Sequence, residues 1–429
     1  MDYRKGELEM RKKIIVVGPV LSRSGYGEQA RFALRSLRSQ EDRFDIYLKN
    51  TNWGQTGWTS VDDEERQYVD FLMKKTYHFL QNEGKFDMSL QVTIPNEWEK
   101  LAPINVGYTA GIETTKVAPG WIEKSNLMDK IIVISNHSKE TLVNTVYNVY
   151  DKNTNKHVGD ISVTTPVEVV NYPAKLIKEV SPQLNLETDF NFLTVSQWGP
   201  RKNISNTIKW FIESFKNNPN VGLVVKGFIK NNSTMDKEYS KNSLKSLIDP
   251  EAKCKIYLLH GDMTDEEMVG LYCHPKIKCL ISLSHGEGFG LPLFEAAYSG
   301  LPILTTNWSG QCDFLNMPTK IRKKGSKKRT ETIMKPMFSE VEYTLAPIQK
   351  EAVWDGVLQA DSSWCYADEK DFIKKLTEVY KNYDFYKDMA KKLKTWVKKE
   401  FEAEKQHYAF ANAVLPTEKK QEESVVSFD

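Results

Sequence analysis

Residues 279–307 read CLISLSHGEGFGLPLFEAAYSGLPILTTN, and the order of parts within them decides the fold. Cys279 to Leu283 is an apolar, β-prone run. Ser284 to Gly290 is a turn with three glycines in five positions. Pro292 to Ser299 has the spacing of a helix and opens on proline, where a missing N–H costs nothing. Gly300 is a stop signal, and Leu301 to Thr305 starts a new strand. Strand, glycine loop, helix and strand in this order aim backbone N–H groups and a positive helix end at one point. Such a point suits an anion, most often a phosphate. Glu287 and Glu295 flank it with seven residues between them.

The same alternation recurs on both sides. In the first half, Lys13 to Val17 reads as a buried parallel strand, Gly18 to Gly27 as a glycine- and serine-containing loop, and Gly27 to Leu37 as a helix. Further strands are expected at Phe44–Leu48, Phe86–Val92, Ile104–Tyr108, Asp129–Ile134 and Val167–Val170, with a Ser138-capped helix at Lys139–Val146. Asp151 to His157 reads as a polar loop. A second series starts at Phe190, with its first helix at Ile204–Asn217. Residues 320–364 read as irregular. The expectation is an α/β chain with two Rossmann-like domains facing across a cleft. Their bounds are 1–174 for the first domain, 175–189 as hinge and 190–401 for the second. A 402–429 tail packs back on the first domain.

Composition narrows the class. The 429 residues are 40% apolar and 27% charged, with net charge +2, as expected of a soluble globular protein. Cys254, Cys273, Cys279, Cys312 and Cys365 have no disulfide-framework spacing, which points to a reducing, cytoplasmic setting. Cys273, His274 and Cys279 lack zinc-ligand spacing, so no metal is expected. No run approaches the roughly 18–20 apolar residues of a transmembrane span.

In open α/β sheets ligands lie beyond the carboxyl ends of the strands. SQWGPRKN leaves such an end and places Arg201 and Lys202 before a helix. Arg as a bidentate donor and Lys as a point charge suit a diphosphate. Glu287 within the glycine loop and Glu295 in the first helical turn are suited to accept hydroxyls. Gly286-x-Gly288-x-Gly290 is not the G-x-G-x-x-G pattern and falls late in the chain, which argues against a hydride-transfer cofactor.

HGEGFGLPLFEA resembles the E-x7-E signature of retaining GT-B glycosyltransferases of the family 4, or group 1, type. WGPRKN is similar to the donor-phosphate loop of that family. GIETTKVAPGWIEKSNLMDKIIVISNHSKETL is similar to its acceptor side. The resemblance implies a GT-B fold and a nucleotide-sugar donor as co-substrate, with no cofactor and no metal. It implies Arg201 and Lys202 on the diphosphate and Glu287 at the sugar. It also implies the Gly288, Phe289 and Gly290 amides on sugar and phosphate, Glu295 on the ribose, and Gly25 and Gly27 opposite the phosphates. Two departures stand out. Many relatives carry a His in the acceptor loop where this chain has Glu113 and Thr114, and here Arg201 and Lys202 are adjacent. His137 is a further acceptor-side candidate.

The acceptor reading starts from a basic run. Lys320, Arg322, Lys323, Lys324, Lys327, Lys328 and Arg329 fall within ten positions. Such a run is a solvated loop or an electrostatic grip on a polyanion. With Trp53, Trp58 and Trp121 as stacking surfaces, it directs the reading to a hydroxymethylated base in DNA as the acceptor. The compact, Lys/Asn-rich chain resembles phage-encoded glycosyltransferases. A glycan or lipid-linked acceptor, with peripheral membrane contact, is the alternative. Rival readings are a nucleotide-sugar epimerase or hydrolase, and a binding module without turnover.

Overall fold

The structure is a computed structural model that describes residues 11–54, 56–322 and 330–415. The first domain runs β1 (Lys12–Gly18), α1 (Gly25–Arg38), β2 (Phe44–Asn50), α2 (Glu64–Gln81), β3 (Met88–Val92) and β4 (Ile104–Thr109). It continues with α3 (Pro119–Ser125), β5 (Lys130–Val133), α4 (Asn136–Asn144), β6 (Tyr147–Tyr150), β7 (His157–Ile161) and β8 (Val167–Val169). Six of these strands form one parallel sheet in the order β2-β1-β3-β4-β5-β8. Both faces are covered, so the centres of its strands are largely apolar: Ile14, Ile15, Val16, Leu90 and Ile132 are buried.

The second domain runs β9 (Phe190–Gln197), α5 (Ile204–Phe215), β10 (Val221–Phe228), α6 (Thr234–Lys245), β11 (Lys255–Leu259), α7 (Asp265–Cys273) and β12 (Ile277–Ser282). Then come α8 (Leu291–Ser299), β13 (Ile303–Thr306), α9 (Cys312–Leu315), β14 (Asn316–Arg322), β15 (Thr330–Pro336), β16 (Ser339–Val341), β17 (Tyr343–Pro347) and β18 (Ser363–Ala367). Helices α10 (Glu369–Lys381), α11 (Tyr383–Glu400) and α12 (Ala403–Val414) follow. The second sheet is also parallel, in the order β11-β10-β9-β12-β13-β16. Its strand order reverses between β9 and β12. That switch point opens a crevice beyond their carboxyl ends, and the loops there are 198–203 and 283–290.

Local chemistry explains the elements around the crevice. Ser24 caps α1 by accepting from Gly27 N at 3.1 Å. On α5, Ile204, Ile208, Phe211 and Phe215 are all buried, each contributing about 1.5–3 kcal/mol. Gly300 ends α8 at φ +84°, its N–H donating to Ala296 and Ala297 carbonyls at 2.9 and 3.1 Å. After α11 the chain returns to the first domain, where Phe410 of α12 meets Phe32 of α1 with ring centroids 5.2 Å apart. The apolar core is continuous through the hinge, since Tyr172 packs edge-on against Phe289 at 5.2 Å.

Three sequence expectations are corrected. Helix α4 starts earlier than expected because Ser135, not Ser138, caps it, accepting from Ser138 N at 3.1 Å. Residues 151–156 are the turn of a β6–β7 hairpin rather than a plain loop, and His157 opens β7. Helix α6, a polar helix capped by Ser233, lies between β10 and β11. The region 320–364 contains hairpins β14–β15 and β17–β18 and the edge strand β16. Among the described residues no helix is long and apolar enough to cross a membrane.

Candidate active site

The Arg201 loop and the glycine loop meet at the switch point. Arg201 Nη1 donates to the Gly286 carbonyl at 2.6 Å and lies 3.2 Å from Glu287 Oε2. Lys202 Nζ lies 2.5 Å from Glu287 Oε1. From the first domain, Glu113 Oε1 reaches Arg201 Nη2 at 3.2 Å. The result is a chain of alternating charge, Glu113–Arg201–Glu287–Lys202, that crosses between the domains. Burial alone would raise the Glu287 pKa, but Lys202 and Arg201 outweigh it and hold the carboxyl at about 2. Burial also presses on the two cations. Glu113 and Glu287 more than offset it at Arg201, whereas the Lys202 pKa falls through burial and the adjacent Arg201 charge.

The glycines of the loop are where first-domain backbone comes close. A Cβ on Gly286 would stand 2.2 Å from the Glu113 carbonyl oxygen, and one on Gly288 would stand 2.6 Å from that of Ala110. Ser135 Oγ donates to the Gly288 carbonyl at 2.6 Å. Glu287 is pinned through its backbone as well: its N–H donates to Ser309 Oγ at 2.9 Å, and its carbonyl accepts from Gly310 N at 2.9 Å. Among the described residues no acceptor stands against the N–H groups of Gly288, Phe289 and Gly290, which lead into α8. The Phe289 side chain is core, packed on Tyr172, Phe294 and Phe314.

Beyond the glycine loop the cleft opens into a cavity of about 590 Å³, within the size range of small-ligand sites. Arg23, Ser24 and Glu28 line its first-domain wall; Lys226, Asp262 and Glu295 line the opposite one. Glu295 accepts from Tyr272 Oη at 2.9 Å. Burial raises its pKa to about 7, with Lys175 opposing only in part. Lys175 is already engaged: its Nζ lies 2.9 Å from Glu28 and 2.8 Å from Asp265, joining α1 to α7. Glu28 is held well below the carboxylate range, because Lys175, Arg31 and Arg35 outweigh its burial. Arg23 adds a second bridge across the cleft, 3.3 Å from Asp262. Sequence reading missed Glu28, Lys175, Asp262 and Tyr272, since each acts through a residue distant in the chain.

The remaining candidates separate clearly. Gly25 has open space at its Cβ position, whereas a Cβ on Gly27 would stand 1.9 Å from the Ser22 carbonyl oxygen, so Gly27 serves the helix start. Thr114 is fully buried and its hydroxyl donates to the Lys116 carbonyl at 3.1 Å, which leaves Glu113 as the member of that pair at the cleft. His137 Nε2 donates to the Ile112 carbonyl at 3.2 Å and its ring packs edge-on to Trp308. Burial lowers its pKa to about 4, so it is a neutral packing residue at neutral pH. Trp121 is fully buried in the first-domain core and offers no stacking face; Trp58 is exposed, and Trp53 packs on Tyr26. Lys320 is exposed on β14, and Arg322 ends that strand. Lys323, Lys324, Lys327, Lys328 and Arg329 lie outside the described residues.

Comparisons with known proteins bear on the fold and on part of the second domain. Residues 177–319 match the model of the family described as Glycosyl transferases group 1. A stretch of 116 residues is 34% identical to the serotype-specific mannosyltransferase WbdA of Escherichia coli. That stretch covers 27% of this chain and 13% of WbdA. Among solved structures, Anabaena HepE in complex with UDP and glucose aligns with a TM-score of 0.59 at 11% identity, over 94% of this chain and 99% of that one. The sucrose-phosphate synthase of Thermosynechococcus elongatus aligns with a TM-score of 0.59 at 12% identity, over 94% and 98%. The chain therefore has the GT-B fold, and its second domain carries the glycosyl transferases group 1 match.

Proposed function

We propose that this protein is a retaining glycosyltransferase that moves a sugar from a nucleoside-diphosphate sugar to an acceptor hydroxyl. One observation carries the reading: Glu287 is held ionised between Arg201 and Lys202, beside backbone N–H groups at the start of α8. Departure of a nucleoside diphosphate places negative charge at this helix end. Fixed cations and free amides there stabilise the transition state more than the ground state. Arg201 and Lys202 exchange part of their contact with Glu287 for the diphosphate, and Glu287 then faces the sugar hydroxyls. Glu295 takes the ribose diol at the floor of the cavity. Gly25, with nothing against its Cβ position, lets the phosphates approach the first-domain wall. The charge that leaves is met by these side chains, so we propose a metal-independent reaction in which turnover survives a chelator. The named complex of HepE with UDP and glucose supports a nucleotide-sugar donor by analogy of fold.

Attack on the same face as the leaving group fits a site in which Glu113, the carboxylate across the Arg201 guanidinium from Glu287, is itself paired with Arg201. We place the acceptor hydroxyl on the Glu113 side, between the two domains. The reading of a hydroxymethylated DNA base as acceptor rests on the basic run from Lys320 to Arg329, with the exposed Trp58 as a stacking surface. Neutralising that run tests it: DNA affinity and its salt slope fall while donor kinetics hold, and equal DNA binding before and after removes the reading.

The decisive assay measures nucleoside diphosphate released from a panel of nucleotide sugars, with the anomeric configuration of the product read by NMR. Release with retained configuration, absent in Glu287→Gln, supports the proposal. Release to water alone with every acceptor favours a hydrolase; binding without release favours a binding module.

A further inference from the structure

We infer that hairpin β17–β18, with its connecting loop, is a strap that fixes the acceptor-side loop of the first domain against the glycine loop of the second, and that His285 is the positioning residue through which it holds Glu287. The inference goes beyond the proposed reaction and rests on it only for its kinetic consequence.

The strap belongs to the second domain but ends in the first. Its strands pair from Tyr343 with Ala367 to Pro347 with Ser363. The loop between them closes a tight turn, in which Val357 N and Leu358 N both donate to the Trp354 carbonyl, and Gly356 takes φ +72°. That turn pushes Val357 into the first-domain apolar cluster of Ile94, Trp98, Ile112, Val117 and Trp121. Leu358 packs against the same cluster. Next to this plug, Asp361 pairs with Lys116. Thr115 and Ser363 then exchange two hydrogen bonds: Thr115 N donates to the Ser363 carbonyl at 2.9 Å, and Ser363 N to Thr115 Oγ1 at 3.0 Å.

From Ser363 the strap runs directly to the glycine loop. Cys365 N donates to the His285 carbonyl at 2.9 Å, and His285 Nδ1 donates back to the Cys365 carbonyl at 2.6 Å. Because Nδ1 carries the proton, Nε2 accepts, and Gln349 Nε2 faces it at 3.3 Å. The ring lies flat on Trp364, at 4.9 Å and 17°, and is almost wholly buried. Burial lowers the His285 pKa, which keeps the ring neutral and this bonding pattern intact at neutral pH. The backbone N–H of His285 donates to the Arg201 carbonyl at 2.8 Å. His285 thus touches the strap and the Arg201 loop, and it stands two residues from Glu287. At the far end, Thr115 stands two residues from Glu113. One short strand, β18, therefore braces both ends of the Glu113–Arg201–Glu287 chain. Elsewhere the domains are joined by the partly buried ion pairs of Lys175 with Glu28 and Asp265 and of Arg23 with Asp262, and by the buried Ser135–Gly288 hydrogen bond; none of these contacts reaches residues 112–116.

Two arms test this. Hydrogen exchange is measured on the full chain for Val357→Ser and, as a milder lesion, Asp361→Ala. Exchange should rise together in 112–116 and 284–290, by about tenfold for Val357→Ser, while β1 and β9 stay protected. A rise confined to 348–362 overturns the strap. In the second arm, His285→Leu should lower turnover at saturating donor about tenfold, with nucleoside diphosphate affinity within about twofold. His285→Asn, which keeps a donor toward Cys365, should recover most of it. Equal losses in turnover and affinity, or no rescue by Asn, overturn the positioning role. If the unmodified chain turns over no nucleotide sugar, the proposed reaction fails while the exchange arm still decides the strap.

Discussion

Glu287 and Glu295 stand eight residues apart on one loop and one helix, yet the fold gives them opposite protonation behaviour. Glu287 is buried and Glu295 half-buried on the cavity wall, and burial pushes both pKa values up. The difference lies in where the cations are. Glu287 has Lys202 at 2.5 Å and Arg201 at 3.2 Å, with no closer rival than Glu113 on the far side of the guanidinium. Glu295 has the Tyr272 hydroxyl, and the cation that favours its charge, Lys175, is held by Glu28 and Asp265. Charge on a carboxylate in this cleft is therefore set by how its counter-charges are shared. Glu287 is a fixed anion that organises the cations; Glu295 is poised to change state near neutral pH.

The largest expected effect breaks the fixed side of the comparison. Arg201→Ala should weaken donor binding by about 1.5–3 kcal/mol, the range of a charge-assisted contact, and raise the Glu287 pKa. Unchanged donor affinity, measured calorimetrically, would remove Arg201 from the diphosphate site. The next effect concerns the poised side. Since the Glu295 pKa is raised from 4.5 to about 7, its protonated form is favoured in the fold. Its contribution to stability is full below about pH 4.5 and is lost as pH rises through about 7. Glu287 has the opposite sign, its contribution present above pH 4.5 and lost as pH falls through about 2. Glu295→Gln should flatten the pH dependence of thermal stability between pH 5 and 8, whereas Glu287→Gln should leave that window's slope in place. Binding of a nucleoside diphosphate near pH 7 should release protons as the ribose diol draws Glu295 into its charged form. Titrations in buffers of different ionisation enthalpy detect this release, and Glu295→Gln should abolish it. The smallest effect is a control: His137→Asn should change turnover less than about twofold, since a neutral packing ring carries no part of the charge chain.

Much of this was legible in the sequence, for reasons that can be stated. The two parallel sheets show because their strands are buried on both faces and so read as apolar runs. The pairing of Arg201 and Lys202 with the glycine loop follows from each lying at a strand's carboxyl end, and β9 and β12 turn out to be neighbours across the switch point. What stayed hidden depends on contacts between distant residues. The strap is a short hairpin of mixed polarity whose meaning comes from Val357 entering another domain's core. Lys175 looked like hinge, and its role appears only when Glu28 and Asp265 converge on it. Gly288 is expected at the sugar and phosphate; the structure shows that the missing side chains of Gly286 and Gly288 make room for the backbone of Glu113 and Ala110. Thr114 and Trp121 are both fully buried, and burial cannot be read from a single residue in a mixed segment.

The central claim, that one glutamate serves the reaction and the other serves binding, is tested most directly by comparing Glu287→Gln and Glu295→Gln side by side. For each, turnover of a saturating nucleotide sugar and the affinity for the matching nucleoside diphosphate are measured at pH 7.5. The account predicts that Glu287→Gln lowers turnover about 100-fold or more while nucleotide affinity changes little, and that Glu295→Gln weakens nucleotide affinity while saturated turnover holds within a few-fold. Equal losses of both quantities in both variants, or the reverse assignment, would contradict it.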